Sequence, residues 1–140
     1  MEAVVLCGIQ GSGKTTLYRD RFLETHVRVS MEMLRTRARE AAFLELCLAT
    51  RQPFVVDNTN PAPEDRAPLI AAARAAGVPV RAVWLDTPEA RCRERNDRRE
   101  GRARVPEVGF RATARRFLPP TVEEGFDRVD VVRPARRRAG

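Results

Sequence analysis

Gly8-Ile9-Gln10-Gly11-Ser12-Gly13-Lys14-Thr15 has the types and spacing GxxxxGK[ST], which suit a loop that wraps a chain of phosphates. The glycines let backbone N–H groups turn inward onto phosphate oxygens, and a helix that starts at the loop adds the positive end of its dipole to the same anion. Lys14 is placed to reach the β and γ phosphates. Thr15 is placed to offer its hydroxyl to Mg²⁺, and Gly11, Ser12, Gly13 and Thr16 complete the expected phosphate contacts. Lys14 is the only lysine among 26 basic residues, so the one ammonium stands where this chemistry favours it.

The loop needs a strand before it and a helix after it, and the chain supplies both. Segments rich in Val, Leu and Phe alternate with stretches of helical spacing, the pattern of βα units around a mainly parallel sheet. Five strands are expected, over Glu2–Cys7, His26–Ser30, Phe54–Asn58, Val80–Asp86 and Arg128–Val132. Helices are expected over Lys14–Leu23, over Met31–Thr50 with Leu34, Ala38, Ala42, Leu46 and Ala49 inward, and over Ala67–Ala76 before Gly77. Thr87-Pro88 reads as a cap and first residue of a helix to about Arg99, and Val105-Pro106 opens another to about Phe117. Glu64-Asp65-Arg66 reads as cap and solvated surface.

Composition bounds the rest. The chain has 140 residues, 43% hydrophobic and 32% charged, which fits one globular α/β domain over residues 1–132 with a basic tail at 133–140. Its apolar runs are far short of a membrane span, and Met1 leads straight into a strand, so no membrane partner and a cytoplasmic address are expected. Cys7, Cys47 and Cys92 show no metal spacing and read as apolar core. A net charge of +7 would attract polyanions.

Three further segments carry chemistry. Val29-Ser30-Met31-Glu32-Met33-Leu34-Arg35 falls where a parallel strand meets a helix, an edge where ligands bind, so the Glu32 carboxylate can face the phosphates. Glu32 and Arg35, three apart, are expected on one helix face. Phe54 to Asn60 is an apolar strand that runs into Asp57-Asn58-Thr59-Asn60. Residues 91–104 hold seven arginines, denser than helix solubility requires.

In order and spacing, GIQGSGKTT, VSMEMLR, VVDNTNPAPEDR and RNDRREGRARVP resemble the P-loop 5′-polynucleotide kinases of the phage and DNA-repair type, within the small P-loop kinases. The resemblance spans nearly the whole chain. It implies a single-domain P-loop kinase fold of four or five mainly parallel strands with an arginine-rich helical lid at about 91–106. It implies ATP or another nucleoside triphosphate as donor, with Mg²⁺, and the 5′-hydroxyl end of DNA or RNA as acceptor. Glu32 takes the position of the general base, where these kinases typically have Asp, and Arg35 that of the arginine on an acceptor phosphate. Asp57 would support Thr15 and the metal. Asn58 and Thr59 would line the acceptor groove, and Arg95 and Arg99 would contact ATP phosphates, with Arg99 favoured at the transferring group.

Two other readings stay open: a small-metabolite or nucleoside kinase on the same scaffold, and a nucleotide-dependent nucleic-acid-binding module without transfer. Arg111, Arg115, Arg116 and Arg136 to Arg138 read first as solvated surface. His26 is assigned no function. No phosphatase or ligase segment is recognisable, so an end-healing partner is expected to be a separate polypeptide.

Overall fold

Alternation along Ala3–Cys7 (β1) buries all five residues, because each face of this central strand is covered by a different helical layer. A computed structural model describes residues 1–133; Arg136 to Arg138 lie outside the described residues. Val27–Val29 (β2), Phe54–Val56 (β3), Val80–Leu85 (β4) and Arg128–Val132 (β5) join β1 in one sheet of order β2-β3-β1-β4-β5, every pair parallel. All five expected strands are therefore present, with three of them ending one or two residues early. The carboxyl ends of β1, β2 and β3 lie side by side at one edge, where the chain reverses direction across β1, and that edge is where such sheets take ligands.

Lys14–Arg21 (α1) covers one face with Leu17 and Tyr18, followed by Phe22, against Val4, Leu6, Val55, Val83 and Leu85. On the other face Cys47 of α3 (Arg37–Thr50) and Ile70 and Ala73 of α4 (Pro63–Ala75) pack on Ala3, Val5, Val29, Phe54, Val56 and Ala82. Glu89–Asp97 (α5) and Glu107–Arg116 (α6) form a smaller cluster in which Cys92 and Phe110 close over Ile9 of the loop. The three cysteines are free and buried. Among the described residues no helix is long and apolar enough to cross a membrane.

Five sequence expectations need correction. The helix expected over Met31–Thr50 is two: Met31–Leu34 (α2) is a single turn that Arg35 ends at φ 74, and Thr36 then caps α3 by accepting from the Arg39 N–H at 3.1 Å. The inward face of α3 follows that restart. Glu40 and Cys47 are buried and Leu44 and Leu48 half-buried, while Ala38, Ala42, Leu46 and Ala49 are exposed. Helix α4 begins at Pro63, four residues early, since proline suits a first turn whose N–H groups have no helical partner. Arg66 is no surface residue but fully buried: its guanidinium donates to the carbonyls of Asn60, Pro61 and Leu118 and pairs with Glu124 at 3.0 Å, tying α4 to the segment before β5. Thr87, finally, does not cap α5. Pro88 is the cap, and the Thr87 hydroxyl donates to the Ser12 carbonyl at 2.8 Å.

Candidate active site

The phosphate-binding loop runs from the end of β1 to the start of α1, and its shape depends on glycine. Gly11 at φ 80 lies so close to the Cys92 carbonyl that a Cβ would collide with it, and Gly13 at φ 102 caps α1. Residues 8–15 thus wrap a space that the first free amides of α1 face. The Ser12 hydroxyl is buried with no hydrogen-bond partner among the described residues. Lys14 folds over the loop and donates to the carbonyls of Gly8 at 2.9 Å and Ile9 at 3.1 Å. Burial of the ammonium pulls Lys14 down from 10.5 to about 8; Arg99 adds to that effect and Asp57 opposes it. An ammonium held by neutral carbonyls and an orphaned hydroxyl fit an anionic phosphate chain.

Thr15 donates to Asp57 Oδ2 at 3.2 Å, so the structure brings together the two residues assigned to Mg²⁺. Asp57 is buried at the end of β3 and its amide donates to the Val29 carbonyl. Among the described residues no group of three or more His, Cys, Asp or Glu could hold a metal. The donor set at Thr15 fits Mg²⁺ in the sense that one hydroxyl, backed by a carboxylate, leaves most of the coordination to phosphate oxygens and water.

Sequence reasoning missed Arg28. From the edge strand β2 its Nε donates to the same Asp57 Oδ2 at 2.8 Å, Nη2 reaches Thr15 Oγ1 at 3.4 Å and Nη1 lies 3.1 Å from the Met33 sulfur. An arginine on a short edge strand carries no signal by itself, because its partners are 13 and 29 residues away.

On the donor side, Arg95 and Arg99 line one cavity of about 580 Å³ with Gly11, Ser12, Gly13 and Thr16. Arg95 Nη1 also donates to the Gly11 carbonyl at 3.3 Å. The rest of the arginine cluster divides differently: Arg93 stacks on Phe110 and pairs with Glu107, Arg98 pairs with Glu94 and Arg104 with Asp97. Asn96, another residue without a sequence signal, is buried and exchanges both amide bonds with the Val105 backbone, which pins the loop between α5 and α6.

On the opposite side Glu32 stands exposed on α2, and among the described residues its carboxylate has no hydrogen bond or ion pair. Arg35 is also exposed. It terminates the turn in a left-handed conformation, so it does not continue the face that carries Glu32. Asn58 does not stand free in a groove: its Oδ1 accepts from the Met31 N–H at 2.9 Å and its Nδ2 donates to Glu40 Oε2 at 2.8 Å. It therefore fixes the start of α2 and the first turn of α3. The Thr59 carbonyl accepts from the Gly8 N–H at 3.1 Å, coupling β3 to the loop. Asn58 and Thr59 also line a larger cavity, about 910 Å³, between α3 and α4, with Arg37, Glu40, Leu44 and Leu69. Glu32 lines neither cavity.

Known proteins are similar to this chain in sequence and in fold. The family model described as an AAA domain matches residues 4–120. A bifunctional polynucleotide phosphatase/kinase from Schizosaccharomyces pombe is 34% identical over 135 residues, covering 94% of this chain and 33% of that protein. The chain spans about a third of the length of the curated relatives it matches. Among solved structures, Chaetomium thermophilum Kti12 in complex with ADP-AlF3 superposes with a TM-score of 0.74 at 17% identity, over 94% of this chain and 88% of that one. A gluconokinase from Sinorhizobium meliloti superposes at 0.67 with 19% identity, over 96% and 83%.

Proposed function

The chain belongs to the AAA domain family and has a P-loop kinase fold, and from that premise we propose that it transfers the γ-phosphate of ATP to the 5′-hydroxyl end of a DNA or RNA strand. The observation that carries this reading is the open carboxyl edge of the sheet. There Glu32 is exposed and unpaired among the described residues, on the turn after β2, with Asp57 on the neighbouring strand bonded to the loop threonine. An exposed carboxylate that lines neither of the two cavities described above suits an acceptor that is the end of a polymer. The net charge of +7 and the similarity to a polynucleotide phosphatase/kinase support the same acceptor.

In this mechanism the loop amides and the Ser12 hydroxyl hold the β and γ phosphates, and Lys14 exchanges the carbonyls of Gly8 and Ile9 for phosphate oxygens. Thr15, backed by Asp57, would hold Mg²⁺, which when bound would supply positive charge beside the phosphoryl group. Glu32 accepts the proton of the 5′-hydroxyl as its oxygen bonds to the γ-phosphorus. The bond from that phosphorus to the bridging oxygen breaks, and ADP leaves with the electron pair. Arg99 and Arg95 stabilise the transferring group from the donor cavity as residues of about 91–106 close over it. Arg35 holds the backbone phosphate next to the acceptor end, and Asp57 orients Thr15.

A second reading has one observation in its favour. The cavity between α3 and α4 could enclose a small polar acceptor beside Asn58 and Thr59, as in a small-metabolite kinase. Incubation with γ-labelled ATP, MgCl₂ and either a 5′-hydroxyl oligonucleotide or a panel of sugars and nucleosides separates the two. Label at the oligonucleotide 5′ end is the expected result. Label on a small molecule alone favours the second reading, and nucleotide binding without transfer favours a binding module.

A further inference from the structure

Arg28 has an electrostatic position that the phosphate-binding motif does not account for. It pairs in register with Val55, so its side chain lies on the α1 side of the sheet, where Val55 packs with Leu17. The Asp57 side chain is only 2% exposed, and among the described residues Arg28 is the one cation hydrogen-bonded to it. That same guanidinium bears on Thr15 Oγ1. The two groups assigned to the metal are therefore already engaged by a positive side chain.

We propose that Arg28 is a built-in counter-ion that makes divalent-metal binding at Thr15 and Asp57 conditional on the triphosphate, a proposal that rests on reading residues 8–15 as the nucleotide loop. The charge balance carries it. Asp57 contributes one negative charge, while Arg28 and Lys14 contribute two positive ones within the same cluster. A divalent ion arriving alone meets a site of net positive charge and is repelled. A triphosphate tail brings several negative charges, reverses the sign and lets the metal settle on the threonine hydroxyl beside it. Metal and nucleotide then enter as one unit. Arg28 also contacts the Met33 sulfur on the turn that carries Glu32, so the counter-ion touches both halves of the site.

The test measures Mn²⁺ binding to the intact chain by electron paramagnetic resonance, with and without ADP. In the unsubstituted protein Mn²⁺ affinity is expected to be at least tenfold weaker without ADP; equal affinity overturns the proposal whatever the variants do. Arg28→Gln is expected to bind Mn²⁺ at least tenfold more tightly than the parent without nucleotide, and to gain thermal stability on addition of MgCl₂ alone. Arg28→Lys, which keeps the charge, is expected to behave as the parent. An Arg28→Gln protein that binds ADP normally yet holds Mn²⁺ no better than the parent overturns the counter-ion role. Failure of the parent to bind ADP at all removes the nucleotide reading and this proposal with it, and is told apart by that missing ADP signal.

Discussion

The proposed donor half of the site and the proposed acceptor half are built by different rules. The proposed donor half centres on one contiguous loop of eight residues with its backbone amides, two left-handed glycines and one ammonium, and only Arg95 and Arg99 join it from elsewhere in the chain. The acceptor half is assembled from three separate segments, with Arg28 and Glu32 on β2 and α2, Asp57 and Asn58 at the end of β3, and Glu40 on α3. The difference teaches where tolerance lies: local geometry can be read and broken residue by residue, whereas the acceptor side depends on hydrogen bonds that span 18 to 29 residues.

The contrast is broken most directly at Lys14. Lys14→Ala should lower kcat/KM by about 10³–10⁵-fold, the scale of a lost phosphoryl-clamping cation, with nucleotide affinity falling as well. Fluorescent-nucleotide titration beside a transfer assay checks both. Glu32→Gln should cost about 10²–10⁴-fold in kcat while nucleotide affinity stays unchanged, because a general base acts only on the acceptor. Unchanged turnover would remove Glu32 from the mechanism and make Asp57 the next residue to test.

A pH series sharpens the donor side. Burial sets Lys14 at about 8 in the free protein, and phosphate binding favours its charged form. Above pH 8 the free ammonium loses its proton, so binding must take one up, and nucleotide affinity should fall about tenfold per pH unit until the bound form titrates. Lys14→Arg should flatten that fall. For folding the sign is also fixed: between about 8 and 10.5 the unfolded chain holds the extra proton, so stability from this group increases with pH. Calorimetric titrations from pH 7 to 9.5 read the affinity slope.

The smallest effect is expected at Asn58. Asn58→Ala strips the Met31 amide and Glu40 of their shared partner and should cost about 1–3 kcal/mol of stability, read by urea unfolding. Turnover should fall more than nucleotide affinity, since α2 carries Glu32. Equal losses in both would mean that the acceptor side is not a separately held unit.

These halves also differ in how much of them could be read from sequence. The loop, the strand before it and the helix after it were all legible, because the motif is contiguous and its glycines have one conformational use. The parallel sheet was legible from the apolar strands; Arg95 and Arg99 line one cavity, yet α5 ends at Asp97, so Arg99 lies past the helix and the four-residue spacing does not put the two on one helix face. The break at Arg35 was not legible, since a left-handed arginine gives no signal, and Thr36, a residue type that favours an N-cap, was the one cue that a new helix starts there. Arg66 read as surface because its carbonyl partners come from loops around 60 and 118 that only the tertiary fold brings together. Arg28 was silent for the same reason.

The central claim is that the loop and the Glu32 carboxylate face each other across the phosphorus being transferred. A crystal structure of the chain with a non-hydrolysable ATP analogue, Mg²⁺ and a short 5′-hydroxyl oligonucleotide tests it most directly. The account predicts a Glu32 oxygen within hydrogen-bond reach of the 5′-oxygen, about 2.6–3.2 Å, with that oxygen in line with the γ-phosphorus. An oligonucleotide end bound away from α2, with Glu32 turned to solvent, would contradict it.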